Sequence, residues 1–363
     1  MRQPRKTLAT TGALLAAGLL LAACSSSSTN ASSSTPAASS SVPQISAADF
    51  TSDFSAMTQL TDLAAQGDGL IGVLLPDTTS STRYVQYDAP YLKQAFEAAG
   101  LTSDQFLIQN AQGSASKMQS QAEAMINQGA SVLLVDPLDT GSGAAIEENA
   151  LKAGVAVVDY DRLVTGGPKD RYYVSFNNVQ VGNLIGQGEV DCIDAWKVAN
   201  PNILIMNGDP KDNNAKLFNQ GYMEVLQPKF DDGTYTKAGE PAGTWDPQTA
   251  ATTFEQQYTD NPKINAVVTP NDDNANAVIS VLKKNQIKAN TFPTTGQDAS
   301  IPGLQNVLTG YQCGTVYKPI FAEAQAAAAL AIFLRAGQTP PSSLVNSTTK
   351  DTVIGADIPS VYT

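Results

Sequence analysis

The sequence predicts an α/β protein of two Rossmann-like lobes, each built on a parallel, doubly wound sheet, with a cleft shared between them. Three observations lead there. Short apolar runs rich in branched side chains alternate with stretches of helical spacing, the alternation comes in two series, and polar residues cluster directly after the apolar runs.

The first series opens at 70–76, LIGVLLP, which reads as a strand buried on both faces. A helix over 91–99 ends at Gly100 and a short strand covers 106–108. Residues 116–128 form the next helix, with Met118, Ala122, Met125 and Ile126 at helical spacing and Gly129 at its end. Strand 132–135, helix 144–153 and strand 155–158 repeat the unit. The second series runs through strand 172–176, helix 179–194, strand 203–206, helix 215–226, strand 235–238, helix 247–258, strand 266–269 and helix 274–284. Segments 291–296 and 314–317 are further strand candidates, and the alanine-rich stretch 320–335 reads as a helix packing back on the first lobe. Open α/β sheets bind ligands beyond the carboxyl ends of their strands, so both sets of strand ends are expected to face one cleft.

Composition narrows the chemistry. The net charge of −12 argues against nucleic acid and against a polybasic membrane-binding face. With no histidine and three scattered cysteines, the common zinc and transition-metal sites and histidine acid–base catalysis are excluded, and no cofactor is implied. At the N-terminus, Arg2, Arg5 and Lys6 precede an apolar run too short for a comfortable membrane span, so 1–23 reads as a secretory signal. The residues Leu21, Ala22, Ala23 and Cys24 resemble the lipobox of bacterial lipoproteins. That resemblance implies lipidation of Cys24 and an exported chain anchored to the outer face of the cell membrane. Segment 24–69 is expected to be a tether, because its first half is almost wholly Ser, Thr, Ala, Pro and Asn and offers no apolar surface to offset ordering. The expected lobes are 70–162 completed by about 319–345, and 163–318 with the C-terminal tail. In an oxidising compartment, Cys192 and Cys313 either form a disulfide or remain two separately buried thiols.

The candidate site residues follow the predicted strands: Arg83 and Tyr84, Asp161 and Arg162, Asp212 to Asn214, Asn271 to Asp273, Gln297 and Asp298, and Tyr317 and Lys318. Ring hydroxyls of a sugar donate and accept at once, so Asp, Asn, Arg and Lys can fix its orientation while Tyr84 and Trp245 cover its C–H faces. At this point several segments resemble the xylose-binding and multiple-sugar-binding branch of the type I periplasmic binding proteins. They are VDYDRL at 158–163, YVSFNN at 173–178, GDPKDNNAKLF at 208–218, TGQDA at 295–299 and TVYKP at 315–319, in family order and spacing. The resemblance implies the type I fold, two lobes joined by a multi-strand hinge. It also implies a monomeric receptor that closes on one monosaccharide, D-xylose by preference, and delivers it to ABC permease subunits. It implies sugar contacts from Arg83, Tyr84, Asp161, Arg162, Asp212, Asn214, Trp245, Asn271, Asp298 and Lys318. It leaves the last hinge crossing open, because family members continue past the segment 358–363.

Each residue also has a plainer reading. Arg83 can be a solvated loop charge, Asp161 and Arg162 an ion pair bracing the crossover, Asn213 or Asn214 a helix cap, and Trp245 a core side chain. The segment around Trp245 and 298–302 is closer to the broader glucose, galactose and xylose binders, whereas Tyr317, Lys318 and Pro319 are closer to the xylose binders. Three other readings compete. Paired carboxylates among Asp161, Asp212, Asp272 and Asp298 could serve glycoside cleavage. The lobes also resemble those of lactose-repressor-type regulators, but a signal and tether stand where a DNA-binding motif would be. A multiple-sugar receptor feeding a membrane sensor, with no transport role, is the third.

Overall fold

The structure, a computed structural model, describes residues 42–78 and 81–363. Cys24, the expected secretory signal and the part of the expected tether up to residue 41 lie outside the described residues. Two helical turns at Ala47–Asp49 and Ser55–Leu60 lead into α1 (Thr61–Gln66). Then follow β1 (Leu70–Leu75), a π-helical turn at Tyr84–Asp88 continuing into α2 (Ala89–Ala98), β2 (Phe106–Asn110), α3 (Ala115–Asn127), β3 (Ala130–Val135), α4 (Thr140–Lys152), β4 (Ala156–Tyr160) and β5 (Tyr172–Ser175). The second lobe contains α5 (Asn178–Ala195), β6 (Asn202–Ile205), α6 (Asn213–Asp231), β7 (Thr236–Gly239), α7 (Pro247–Asp260), β8 (Ala266–Val268), α8 (Asp272–Lys284) and α9 (Ile301–Leu308). The chain then returns through α10 (Ile320–Arg335), β9 (Ser347–Asp351) and β10 (Ala356–Tyr362). Among the described residues no helix is long and apolar enough to cross a membrane.

Local chemistry sets the boundaries. Ser114 and Asp139 cap α3 and α4 by accepting from the backbone N–H groups of Lys117 and Ser142. Just beyond α2, α3 and α4 stand Gly100, Gly129 and Gly154, all at positive φ, where glycine ends a helix without a Cβ penalty.

The first sheet has the order β2-β1-β3-β4-β5-β10-β9 and is parallel except for the β9–β10 pair; the second has the order β7-β6-β8 and is parallel. The three-strand pattern is therefore the same in both. The strand earliest in sequence lies in the middle, so successive connections leave it to opposite sides. That arrangement opens a crevice at the strand ends between β1 and β3 in one lobe, and between β6 and β8 in the other. The expected segments at 291–296 and 314–317 appear only as isolated bridges, Val267 with Thr294 and Gln297 with Val316, extending the second sheet.

Two boundaries differ from expectation. Folded structure does not start at residue 70: Ile45, Phe50, Phe54, Met57 and Leu60 are buried in the core of the first lobe. The Ser/Ala-rich composition ends before these apolar side chains, and their burial offsets the ordering of this segment. β5 and the C-terminal tail also belong to the first sheet rather than the second lobe, since β10 pairs with β5 from Ser360 against Tyr173 to Tyr362 against Ser175. The strand run 356–362 thus extends the first sheet beyond β5. Buried Arg171 locks it in place, with Nε 3.0 Å from Asp159 and Nη2 3.1 Å from Asp351 of β9. The alanine-rich α10 packs on α2, β3 and β4 as expected, and is buried on nearly every side, which small side chains allow.

Candidate functional site

The loop after β1 carries Arg83 and Tyr84. Arg83 is 3% exposed, so it is no solvated loop charge. Its Nε and Nη2 donate to the two oxygens of Asp88 at 2.9 and 2.7 Å, Nη2 also donates to Glu323 of α10 at 2.7 Å, and Nη1 donates to Asp161 at 3.1 Å. Tyr84 Oη donates to Asp161 at 3.1 Å and accepts from Arg162 Nη2 at 2.9 Å. The Arg83 and Arg162 guanidinium carbons stand 5.4 and 5.5 Å from the centre of its ring, within cation–π range.

Asp161 and Arg162 follow β4. Neither pairs chiefly with the other: Arg162 Nε faces Asp212 of the second lobe at 3.1 Å and Asp136 at 3.5 Å. Asp161 adopts a left-handed φ of 58°, a strained conformation for a side chain other than glycine. In that conformation its carboxylate meets Arg83 and Tyr84, while its carbonyl accepts from Ser175 Oγ at 2.8 Å and from Asn214 Nδ2, across the lobes, at 2.9 Å.

In the second lobe, the cap of α6 is Asp212, not Asn213 or Asn214, because its side chain accepts the Asn214 N–H at 2.8 Å. Asp212 also accepts from Trp245 Nε1 at 3.0 Å. Trp245 belongs both to the core of this lobe and to the cavity, and it lies edge-on to Phe218 at 6.5 Å. A Cβ at Gly208 would stand 2.3 Å from the indole, so only glycine admits it there. Asn271 caps α8 through the N–H of Asn274. Asp298, at φ 89°, holds Lys318 at 3.1 Å, and Lys318 Nζ lies 5.3 Å from the Phe176 ring centre.

All of the predicted sugar-site residues line a single cavity, joined by Ser81, Phe218 and Gln297. Phe218 was legible in principle, since it follows Asn214 by one helical turn and so shares its face. Gln297 precedes Asp298 in the same post-strand cluster, and its Oε1 is buried without a protein partner. Asp272 does not join the cavity: it accepts from Ser300 N at 2.8 Å and from Gln312 Nε2 at 2.7 Å, bracing the loop that carries Asp298. Cys192 and Cys313 are bonded, with their Cα atoms 5.9 Å apart, which decides between the two readings.

Burial sets the electrostatics. It works to raise the Asp161 carboxyl, but Arg83, Lys318 and Arg162 outweigh it and hold the group below the usual carboxylate range. Burial pushes Asp136 far above that range against the pull of Arg162, and it raises Asp212. Glu323 is pushed up to about 8 by burial, with Arg83 opposing. The cleft thus mixes charged acceptors, charged donors and amides, with aromatic surface from Trp245 and Phe218, so it can donate to and accept from the same polyhydroxylated ligand.

Comparison with known proteins agrees with this geometry. Residues 71–339 match the periplasmic binding protein domain. The chain is 36% identical over 247 residues to the D-xylose-binding periplasmic protein of Escherichia coli K12, covering 67% of this chain and 73% of that one. It is 33% identical over 268 residues to the multiple sugar-binding periplasmic protein SbpA of Azospirillum brasilense, covering 70% and 74%. Among solved structures, a carbohydrate transporter solute binding protein from Chloroflexus aurantiacus in complex with D-glucose superposes with a TM-score of 0.71 at 28% identity, covering 81% of this chain and 90% of that one. The match over most of the body, the paired lobes and the interlobe cavity place this chain among the type I periplasmic binding proteins, beside the D-xylose-binding and multiple-sugar-binding members.

Proposed function

We propose that this protein is the exported sugar receptor of an ABC-type importer and that its cavity holds one monosaccharide, D-xylose by preference. The observation that carries the reading is the convergence of loops from both lobes on one cavity that mixes carboxylates, cationic side chains and amides with the Trp245 ring. Arg83, Asp161, Arg162, Asp212, Asn214, Asn271, Asp298 and Lys318 supply hydrogen bonds to ring hydroxyls. Trp245, with Phe218 behind it, supplies the apolar face. Tyr84 contributes its ring edge and hydroxyl, since both arginines already lean on the ring.

Closure around the ligand desolvates these bonds, and affinity follows from how much better the sugar binds the closed than the open arrangement. The preference for xylose is supported by the identity to the D-xylose-binding relative, and the relatives named above are binding proteins, which disfavours glycoside cleavage. A multiple-sugar receptor is the second reading, favoured by the Azospirillum relative and by the glucose-bound structural neighbour. We further propose a monomer, anchored through lipid on Cys24.

Calorimetric titration of the chain lacking 1–23 with xylose, glucose, galactose, ribose and arabinose tests the assignment. Tight binding of xylose alone is expected. Comparable glucose binding moves the protein to the multiple-sugar reading, and binding of none overturns the monosaccharide assignment. Sugar uptake in a deletion strain separates transport from sensing, because an intact uptake rate would remove the importer role.

A further inference from the structure

Some contacts between the lobes also line the cavity. Arg162 with Asp212 and Asn214 with Asp161 both do, so they hold ligand and lobes together at once. A further contact joins the loop after β1 directly to the start of α8. The backbone N–H of Thr82, in the loop after β1, donates to Asp273 Oδ2 on α8 of the opposite lobe at 2.9 Å, and the Thr82 hydroxyl approaches the same oxygen at 3.4 Å. Neither residue lines the cavity, yet each is adjacent to residues that do: Thr82 stands between Ser81 and Arg83, and Asp273 lies two residues beyond Asn271.

We propose that Asp273 is a closure latch, a positioning residue that sets ligand affinity by holding the Ser81–Tyr84 loop to the second lobe rather than by touching the ligand. This rests on the reading of the protein as a closing sugar receptor. The carboxylate sits in the first turn of α8, where the helix favours negative charge, so it is in place before the lobes meet. The Thr82 amide belongs to the other lobe, so this bond exists only in the closed arrangement. A carboxylate that accepts a backbone N–H in a partly buried place makes a charge-assisted bond, stronger than a neutral one. Any interaction confined to the closed state raises apparent affinity by the factor by which it raises the closed population. Since closure follows encounter, that factor is read mainly in the dissociation rate.

The test compares wild type, Asp273→Ala and Asp273→Asn, all lacking 1–23, with D-xylose and D-glucose as probes and a fluorophore pair reporting the distance between lobes. Asp273→Ala is expected to speed dissociation roughly tenfold, the usual effect of losing a hydrogen bond to a charged group, with association and ligand-free thermal unfolding unchanged. Asp273→Asn keeps an oxygen that accepts from the Thr82 amide but loses the charge, and is expected to recover part of the wild-type lifetime. In the absence of sugar, the closed fraction should fall by the same factor in Asp273→Ala. Wild-type dissociation in Asp273→Ala, or an unchanged ligand-free closed fraction, overturns the latch. If wild type binds neither sugar, the receptor reading fails, while the ligand-free closed fraction still decides the latch by itself.

Discussion

Arg83 gathers three carboxylates, Asp88, Asp161 and Glu323, around one guanidinium in a fully buried place, so the protonation of its partners matters to stability. Glu323 is the one poised to change near neutrality, because burial raises it to about 8 although Arg83 opposes. A glutamate in the unfolded chain titrates near pH 4.3, so between roughly pH 4.5 and 8 the folded chain holds a proton that the unfolded chain releases. The resulting stabilisation is complete below the unfolded value and is lost as pH rises through the folded one. Melting temperatures of wild type and Glu323→Gln measured across this range should therefore diverge in slope. Wild type is expected to lose up to about 1.4 kcal/mol more per pH unit than the variant, and parallel slopes would refute it. Asp136, raised by the same burial, contributes in the same direction to both proteins and drops out of the difference.

At the level of elements, the site is held by helix starts and by the loops between strand and helix. Asp212 and Asn271 each cap a helix and line the cavity, so one side chain fixes both the helix entry and the ligand wall. The loop carrying Asp298 depends on the start of α8 in a second way. Gly303, in the first turn of α9, lies so close to Asp272 that an added Cβ would stand 2.2 Å from its carboxylate. Gly303→Ala should displace Asp272 from the Ser300 N–H and shift the loop. The expected cost is about 1–3 kcal/mol in denaturant unfolding, with weaker sugar binding, and unchanged values of both would show that the loop has slack. α9 was not foreseen, because it is short and exposes Ile301, Leu304 and Leu308, so it lacks the buried stripe by which helices are recognised. α10 was foreseen despite having no polar face, since its alanine content alone favours a helix.

Over the whole molecule, the chain passes to the second lobe after β5 and returns before α10, and the Cys192–Cys313 bond spans a sequence separation of 121 within that lobe. The bond closes a long loop of the unfolded chain and joins α5 to the segment that bridges toward Thr294. The double variant Cys192→Ala, Cys313→Ala should lose about 2–5 kcal/mol of stability, seen as a lower melting temperature under oxidising conditions. Its sugar affinity should match wild type, because neither cysteine lines the cavity. A variant that melts like wild type, or one that loses affinity in step with stability, would contradict this division between scaffold and site.

The residues that meet in the cavity were legible because the repeated strand–helix order obliges the loops after the strands to converge where the order of each sheet reverses. Arg83, Asp161, Asp212, Asn271 and Asp298 could therefore be placed by position alone, before any contact was known. Their partners could not. Glu323 reaches Arg83 from 240 positions away, Asp273 reaches Thr82 from 191, and Cys192 finds Cys313 only through the packing of the second lobe. The place of the C-terminal strand in the first sheet, and the burial of Phe50, Phe54 and Met57 beneath α10, belong to the same class. Local periodicity records which face of an element is apolar, but it carries no information about which distant face covers it; that pairing was decided by the tertiary fold.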